Sequence, residues 1–304
     1  MSKVHWLALT QIAGIGGTTA RRLLERFGSV EAVFEATIED LDAVSRVSER
    51  MARAIKEAPL GHLEAELLSL DDEDIGVLTW DDEEYPANLR AATDAPPLLF
   101  LRGAVVSEDE LAVAIVGTRQ AGAEGLEIAE TLGKELAARG LTVVSGLALG
   151  IDSAAHRGAL AAGGRTLAVL GSGLRIVHPR SNADLAECIA AQGAVLSELH
   201  PSAPPRGQHL MARDRITSGL SRTVIVVEAG ERSGSLDTAA RARKQGRLVF
   251  AVDIGSEGTS RLLREGAERL PTQDINFNAL AARIVAHAVI RAESSPPPQQ
   301  MSLL

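Results

Sequence analysis

Four short segments hold most of the side chains that could bind or transform a ligand: VGTRQAG (116–122), VSGLALGIDSAAH (144–156), GSGLRIVHPRSN (171–182) and ERSGSLDTAARA (231–242). Each joins a short apolar run to a segment of helical character. In the first, Gly117 permits a tight turn, the following helix offers free backbone N–H groups, and Arg119 adds a bidentate phosphate partner. The second brings Ser145, Gly146 and Gly150 ahead of a helix whose cap is Asp152 or Ser153. The third carries Arg175 and Arg180 on a long loop before a helix capped by Ser181 or Asn182. The fourth, Ser233-Gly234-Ser235, feeds directly into a helix. A fifth segment, MARDRITSGLSRTV (211–224), sets Arg213 and Arg215 two residues apart on an extended or turning stretch before a helical turn, where phosphate contact and surface solvation are both open. No aromatic residue lies in these loops, so base stacking would fall to arginine planes, His178 or His209.

Enzyme chemistry finds less support. Asp152 and His156 stand four apart on one helical face, as an acid–base pair or as a cap and a core histidine. Glu228 and Glu231 could activate a water, but no nucleophile or metal partner accompanies them. There is no Walker A pattern, no GxGxxG followed by an acidic ribose partner, no GxSxG elbow and no zinc spacing. The expectation is a protein with neither catalytic residues, metal nor cofactor.

The elements that must position these turns are legible. Apolar strands are expected at 75–80, at the end of the Pro-rich connection 85–103, and at 112–117, 141–146, 166–171, 194–198, 223–229 and 247–253. Helices are expected at 123–139, 152–163, 182–191 and 235–245. Near-continuous apolar strands separated by helices predict an extended Rossmann-like, mostly parallel sheet with helices on both faces, whose ligands sit at the carboxyl ends of the strands. Ahead of it, residues 10–57 read as a helix-hairpin-helix (SAM-like) module. Its glycine turn (Gly14, Gly16, Gly17) serves either phosphate contact or simple packing, and Arg21, Arg22 and Arg26 form its basic cluster. The expected divisions are a helical module at 1–65, the Rossmann-like domain at 66–270, a C-terminal helix at 271–292 and a flexible tail at 293–304.

Composition constrains the class. The 304 residues are 45% hydrophobic but only 3% aromatic, so Ala, Val, Leu and Ile must build the core. One cysteine, Cys188, rules out an internal disulfide, and no leader-like start or apolar run of about 18 residues appears, which predicts a cytoplasmic protein. The net charge of −9 argues against a nucleic-acid binder until its distribution is considered. Residues 1–100 hold 9 basic and 19 acidic side chains, whereas 205–250 hold 9 basic and 4 acidic. The acidic runs Asp71–Asp74 and Asp81–Glu84 read as solvated surface.

Taken together, YPANLRAATDAPPLLFLRG, VAIVGTRQAG, VVSGLALGIDSAAHRGAL, TLAVLGSGLRIVHPRSNADL, RDRITSGLSRTVIVVEA, SGSLDTAARARKQGRLVFAV and GTSRLLREGAERL resemble the DNA-processing protein A (DprA/Smf) family over roughly 85–270. The resemblance implies a homodimer that binds single-stranded DNA at the strand ends without chemistry, protects it and loads RecA recombinase in DNA uptake and recombination. It implies DNA contacts at Arg119, Arg180, Arg213 and Arg215, with the Ser145–Gly146 and Ser233, Gly234, Ser235 turns lining the same pocket; Gly117, Gly150, Arg175 and Asn182 complete the phosphate-binding set expected from the strand-end turns. Asp214 stands where the family favours asparagine, a short loop follows the 247–253 strand, and one helix with a tail stands where a winged-helix-like domain is usual. The final Gln300, Met301, Ser302, Leu303 and Leu304 resemble a peptide that docks into the sliding clamp of DNA polymerase. Two other readings stay open: a nucleotide-binding or nucleoside-monophosphate-hydrolysing protein, since SGSLDTA resembles a PGGxGTxxE loop without its double glycine or final glutamate, and a scaffold that recruits clamp or RecA with weak DNA binding.

Overall fold

A computed structural model describes residues 2–294. The clamp-like residues Gln300–Leu304 and nearly all of the expected tail lie outside that range.

Nine strands form one sheet: β1 (Gly76–Thr79), β2 (Leu98–Gly103), β3 (Ala112–Val116), β4 (Thr142–Ser145), β5 (Thr166–Val169), β6 (Ala194–Ser197), β7 (Thr223–Val226), β8 (Leu248–Val252) and β9 (Glu268–Leu270). Their order is β1-β2-β6-β5-β4-β3-β7-β8-β9. From β6 to β9 every pairing is parallel, while β2 runs antiparallel to both β6 and β1. Chain order climbs outward from β3 through β4, β5 and β6, then restarts beside β3 at β7. The switch point therefore lies between β3 and β7, where an open sheet of this kind leaves a crevice at its carboxyl edge.

The central strands are buried along their whole length, which explains their continuous apolar character. Val113, Ile115, Val143 and Ile225 face the helices Ala123–Ala137 and Ile151–Ala161. Ala114, Val116, Val144 and Val224 face the opposite layer, which contains Ile216, Leu220, Ala239 and Ala242. The helices Ala123–Ala137 and Ile151–Ala161 pack through reciprocal glycines. A Cβ at Gly133 would lie 2.2 Å from Ala155 O, and one at Gly158 would lie 2.0 Å from Glu130 O.

The N-terminal helices share a core with the sheet: Trp6, Leu9, Leu41, Ile55 and Leu70 cluster with Val77, Phe100 and Ala168. Helix Leu60–Asp71 runs through the boundary expected at 65/66. Within the expected helix-hairpin-helix module the chain breaks between helices Ile38–Asp42 and Glu49–Lys56, because the Ser48 hydroxyl accepts the Met51 N–H and starts a new helix there. The glycine turn is used for packing: Gly17 abuts Ala95 O, where a Cβ would stand 2.0 Å away. Arg21 donates to Arg90 O and Ala92 O, and Arg22 to Ser45, which leaves Arg26 as the exposed member of that cluster. The acidic run at 81–84 is not merely solvated surface. Asp81 accepts from the Trp6 indole at 2.6 Å, and Asp82 accepts from Thr79 and pairs with Lys3.

The stretch expected to be extended or turning around Arg213 is instead two short helices, Gly207–Ala212 and Asp214–Leu220. Ile216 and Leu220, four apart, both bury against the sheet, and that burial outweighs the weak local signal. Strand β9 also went unsignalled, being three residues long and mostly polar.

The glycine contact between the two crossing helices predicts that Gly158→Val drives apart backbones that cannot yield locally. It should lower stability by roughly 1–3 kcal/mol, the usual cost of overpacking. Urea unfolding of the variant beside wild type measures this, and equal midpoints would contradict the packing described.

Candidate nucleic-acid interface

A cleft of about 720 Å³ opens at the switch point. Its walls come from the turns after β3 and β7, the start of the loop after β4, and the two short helices before β7. Gly117, Arg119, Arg213, Ser233, Gly234 and Ser235 all line it, so the structure brings together residues from three separate parts of the chain. Beyond the strand ends, the Thr118 N–H donates to Glu228 O at 2.8 Å and ties the β3 turn to the β7 turn. A side chain at Gly117 would collide with Ile151 at 2.5 Å and Glu228 O at 2.8 Å.

Arg213 forms the floor. It is 6% exposed, and among the described residues its Nε is a buried donor without a hydrogen-bond partner. Its charge is met only loosely, by Asp214 at 3.4 Å and Asp152 at 4.0 Å. A buried guanidinium with an N–H that lacks an acceptor is costly unless a ligand completes it. It lies over Gly146, where a Cβ would fall 1.2 Å from Arg213 Nη1. Gly146 is therefore the seat of the arginine.

Above the floor, Arg119 and Arg232 are exposed and have no ion pair among the described residues. Opposite them the helix Gly234–Lys244 begins at Ser233, whose side chain does not cap it. The Ser233 and Ser235 hydroxyls bond each other at 2.8 Å and cap no first-turn N–H group of this helix, whose Gly234 and Ser235 line the cleft. Arginines on one wall and a helix N-terminus on the other suit a chain of phosphates.

Carboxylates limit that positive character. Asp152 Oδ2 accepts from Gly146 N–H at 3.1 Å and Ala148 N–H at 3.4 Å, and burial pushes its pKa up despite Arg213. Burial raises Asp214 to about 6, opposed by Arg213 and reinforced by Asp152 and Asp237. His156 is fully buried, with Nδ1 2.7 Å from Thr166 Oγ1, and burial, helped by Arg213, holds its pKa near 3. It is a neutral core histidine and no acid–base partner for Asp152. Glu228 Oε2 accepts from Gly122 N–H at 3.1 Å at the start of helix Ala123–Ala137. That carboxylate fills the place where dinucleotide-binding sheets hold a pyrophosphate.

The remaining expected residues stand elsewhere. Ser145 is buried, donates to Ile115 O at 2.6 Å, and joins β4 to β3. Gly150, at φ +77°, packs against Thr118 O and supports the turn from behind. Asn182 is 2% exposed and gives both amide hydrogens inside the protein, to Leu147 O at 2.8 Å and Ser153 Oγ at 2.9 Å. Its expected phosphate contact is thereby corrected, since no ligand can reach the group. Arg215 forks onto Glu198 at 2.6 and 2.8 Å and is mostly buried, which likewise gives it a structural partner in place of a phosphate. Arg175 is set apart, forking onto Glu73 at 2.5 and 2.7 Å and reaching Ser202. Arg180 is exposed on the turn Arg180–Asn182. Sequence reasoning missed Arg232, Gln120, Leu210 and Met211 on the walls. Arg232 adjoins the Ser-Gly-Ser turn, a signal that could have found it; the others had none.

The floor carboxylate generates a pH prediction. Asp214 binds its proton more tightly folded than unfolded, so stability falls as pH rises from about 4 to about 6 and stays reduced above. Asp214→Asn should then stabilise the protein at pH 8 by about 2–3 kcal/mol, with the gain fading toward pH 4. Thermal melts of both proteins from pH 4 to 8 test it, and a gain independent of pH would exclude the titration of Asp214 as its source.

Comparison with known proteins follows the same lines. The family model of DNA recombination-mediator protein A matches residues 76–280, and that of the SAM-like helix-hairpin-helix tandem matches 7–58. Protein Smf of Escherichia coli (strain K12) is 38% identical over 272 residues, covering 86% of this chain and 71% of the relative. The X-ray structure of DNA processing protein A from Streptococcus pneumoniae superposes with a TM-score of 0.75 at 34% identity, over 88% of this chain and 94% of that one. A DNA processing protein A from Helicobacter pylori, solved to describe its single-stranded DNA binding mode, gives a TM-score of 0.61 at 29% identity, over 70% and 96% of the two chains.

Proposed function

Since the chain belongs to the DNA recombination-mediator protein A family, we propose that it binds single-stranded DNA in the cleft between the β3 and β7 turns and serves recombination without chemical change to the DNA. The observation that carries this reading is the Arg213 guanidinium, buried at the cleft floor with its Nε unpartnered and its nearest carboxylate oxygen at 3.4 Å. A DNA phosphate supplies the missing acceptor, Arg119 and Arg232 meet its neighbours along the backbone, and the helix starting at Gly234 supports a further phosphate. The Helicobacter pylori relative, described for its single-stranded DNA binding mode, supports single-stranded DNA as the class of ligand. Apolar Leu210 and Met211 on the wall provide surface for bases where aromatic rings are missing.

The acid–base candidates His156, Asp152 and Glu228 form no catalytic pair. His156 is locked into the core, Asp152 is spent on two backbone N–H groups, and Glu228 caps a helix. The last of these also counts against the nucleotide reading, because the customary phosphate position already holds a carboxylate. The family resemblance extends the proposal to a homodimer that protects the strand and passes it to the RecA recombinase.

Fluorescence anisotropy with a short single-stranded oligonucleotide provides the test. Wild type should bind at low salt and weaken steeply as salt rises, with a log–log slope of about 0.7 per phosphate contact. Arg119→Glu should lose at least about tenfold in affinity, roughly 1.4 kcal/mol, and show a shallower slope. A folded wild type that fails to bind at low salt would overturn the proposal.

A further inference from the structure

Leu147 occupies a backbone conformation that leucine rarely adopts. Its φ is +58°, in the left-handed region, although its side chain is wholly buried in the core. Branched and bulky residues persist there only where their surroundings impose it. Those surroundings are explicit. Asn182 Nδ2 donates to Leu147 O at 2.8 Å and to Ser153 Oγ at 2.9 Å, and Ser153 Oγ in turn donates to Ala148 O. On the other side of the loop, Gly146 N–H and Ala148 N–H both donate to Asp152 Oδ2. Residues 146–148 are thus held from behind by Asn182 and Ser153 and from the side by Asp152.

The held segment is also the seat of Arg213. Gly146 lies under the guanidinium, Ala148 lines the cleft, and Asp152 is one of the two carboxylates facing the arginine. If the Leu147 peptide relaxed, both N–H groups would leave Asp152 and the surface beneath Arg213 would change shape. We infer that Asn182 is a positioning residue for the DNA cleft: without touching DNA, it holds Leu147 in its left-handed conformation and so shapes the Gly146–Ala148 seat that presents Arg213. The inference rests on the single-strand reading above, and its test separates the two.

The full chain is used throughout. Asn182→Ala should weaken binding of a single-stranded oligonucleotide about tenfold, the effect of losing one to two hydrogen bonds. Glycine accepts a positive φ freely, so a chain carrying Leu147→Gly no longer needs the clamp. In that background the same Asn182→Ala change should cost less than about threefold, a non-additivity that direct contact with DNA would not produce. An equal loss in both backgrounds overturns the inference, as does wild-type affinity in Asn182→Ala. Amide hydrogen exchange gives a second readout if Leu147→Gly does not fold. Asn182→Ala should speed exchange at Gly146 and Ala148 while Val143 and Val144 in β4 stay protected, and unchanged exchange at the loop overturns the inference. Should wild type not bind DNA at all, the functional reading fails, and exchange alone decides what Asn182 does.

Discussion

A charge held in a place where charge is expensive governs this molecule. The Arg213 guanidinium is almost entirely removed from water, and Asp214 and Asp152 compensate it at distances too long for good hydrogen bonds. Taking an ion out of water costs several kcal/mol, and loose pairing repays it only partly. The surroundings are shaped to tolerate that position. A glycine gives it room, a carboxylate bound to two backbone N–H groups sits beside it, and the imidazole nearby is kept neutral. Strands β3, β4 and β7 bring these groups to a single edge because the chain order reverses there.

Rigid packing underneath keeps the arrangement in register. Helices Ala123–Ala137 and Ile151–Ala161 approach so closely at Gly133 and Gly158 that one cannot slide against the other, and the second carries Asp152, Ser153 and His156. The N-terminal helices are joined to the same body. Their apolar residues merge with the core beneath β1, β2 and β5, while Arg175–Glu73 and His200–Glu66 pin helix Leu60–Asp71 and the turn after it to the loops after β5 and β6. Arginines that look alike in the chain are thereby divided between two tasks. Arg175 and Arg215 hold elements together, whereas Arg119 and Arg232 remain turned to solvent.

Much of this was readable from residue order. Buried parallel strands announce themselves as short apolar runs, and Gly117, Gly146 and the Ser233–Ser235 turn fall at strand ends, where the topology had to gather them. The chemistry of individual side chains was less readable. Arg213 and Arg215 are two apart and indistinguishable by type; a partner distant in sequence, Glu198, claims one of them. Asn182 looked like a cap or a ligand, and only its burial beside Leu147 shows that its hydrogens are spent internally. Short helices such as Asp214–Leu220 carry too few residues for periodicity to show, and tertiary burial decides them.

The carboxylate of Glu228 has a consequence for selectivity between small and long anions. The Glu228 carboxyl lies at the start of helix Ala123–Ala137, bonded to Gly122 N–H and filling the space beside Gly125. A free mononucleotide therefore meets an occupied socket at the very position that related sheets reserve for one. The anion-seeking groups left open are spread along the cleft, from Arg119 across Arg213 to Ser233. Under the single-strand reading, ligands whose phosphates arrive joined in a row engage these groups together.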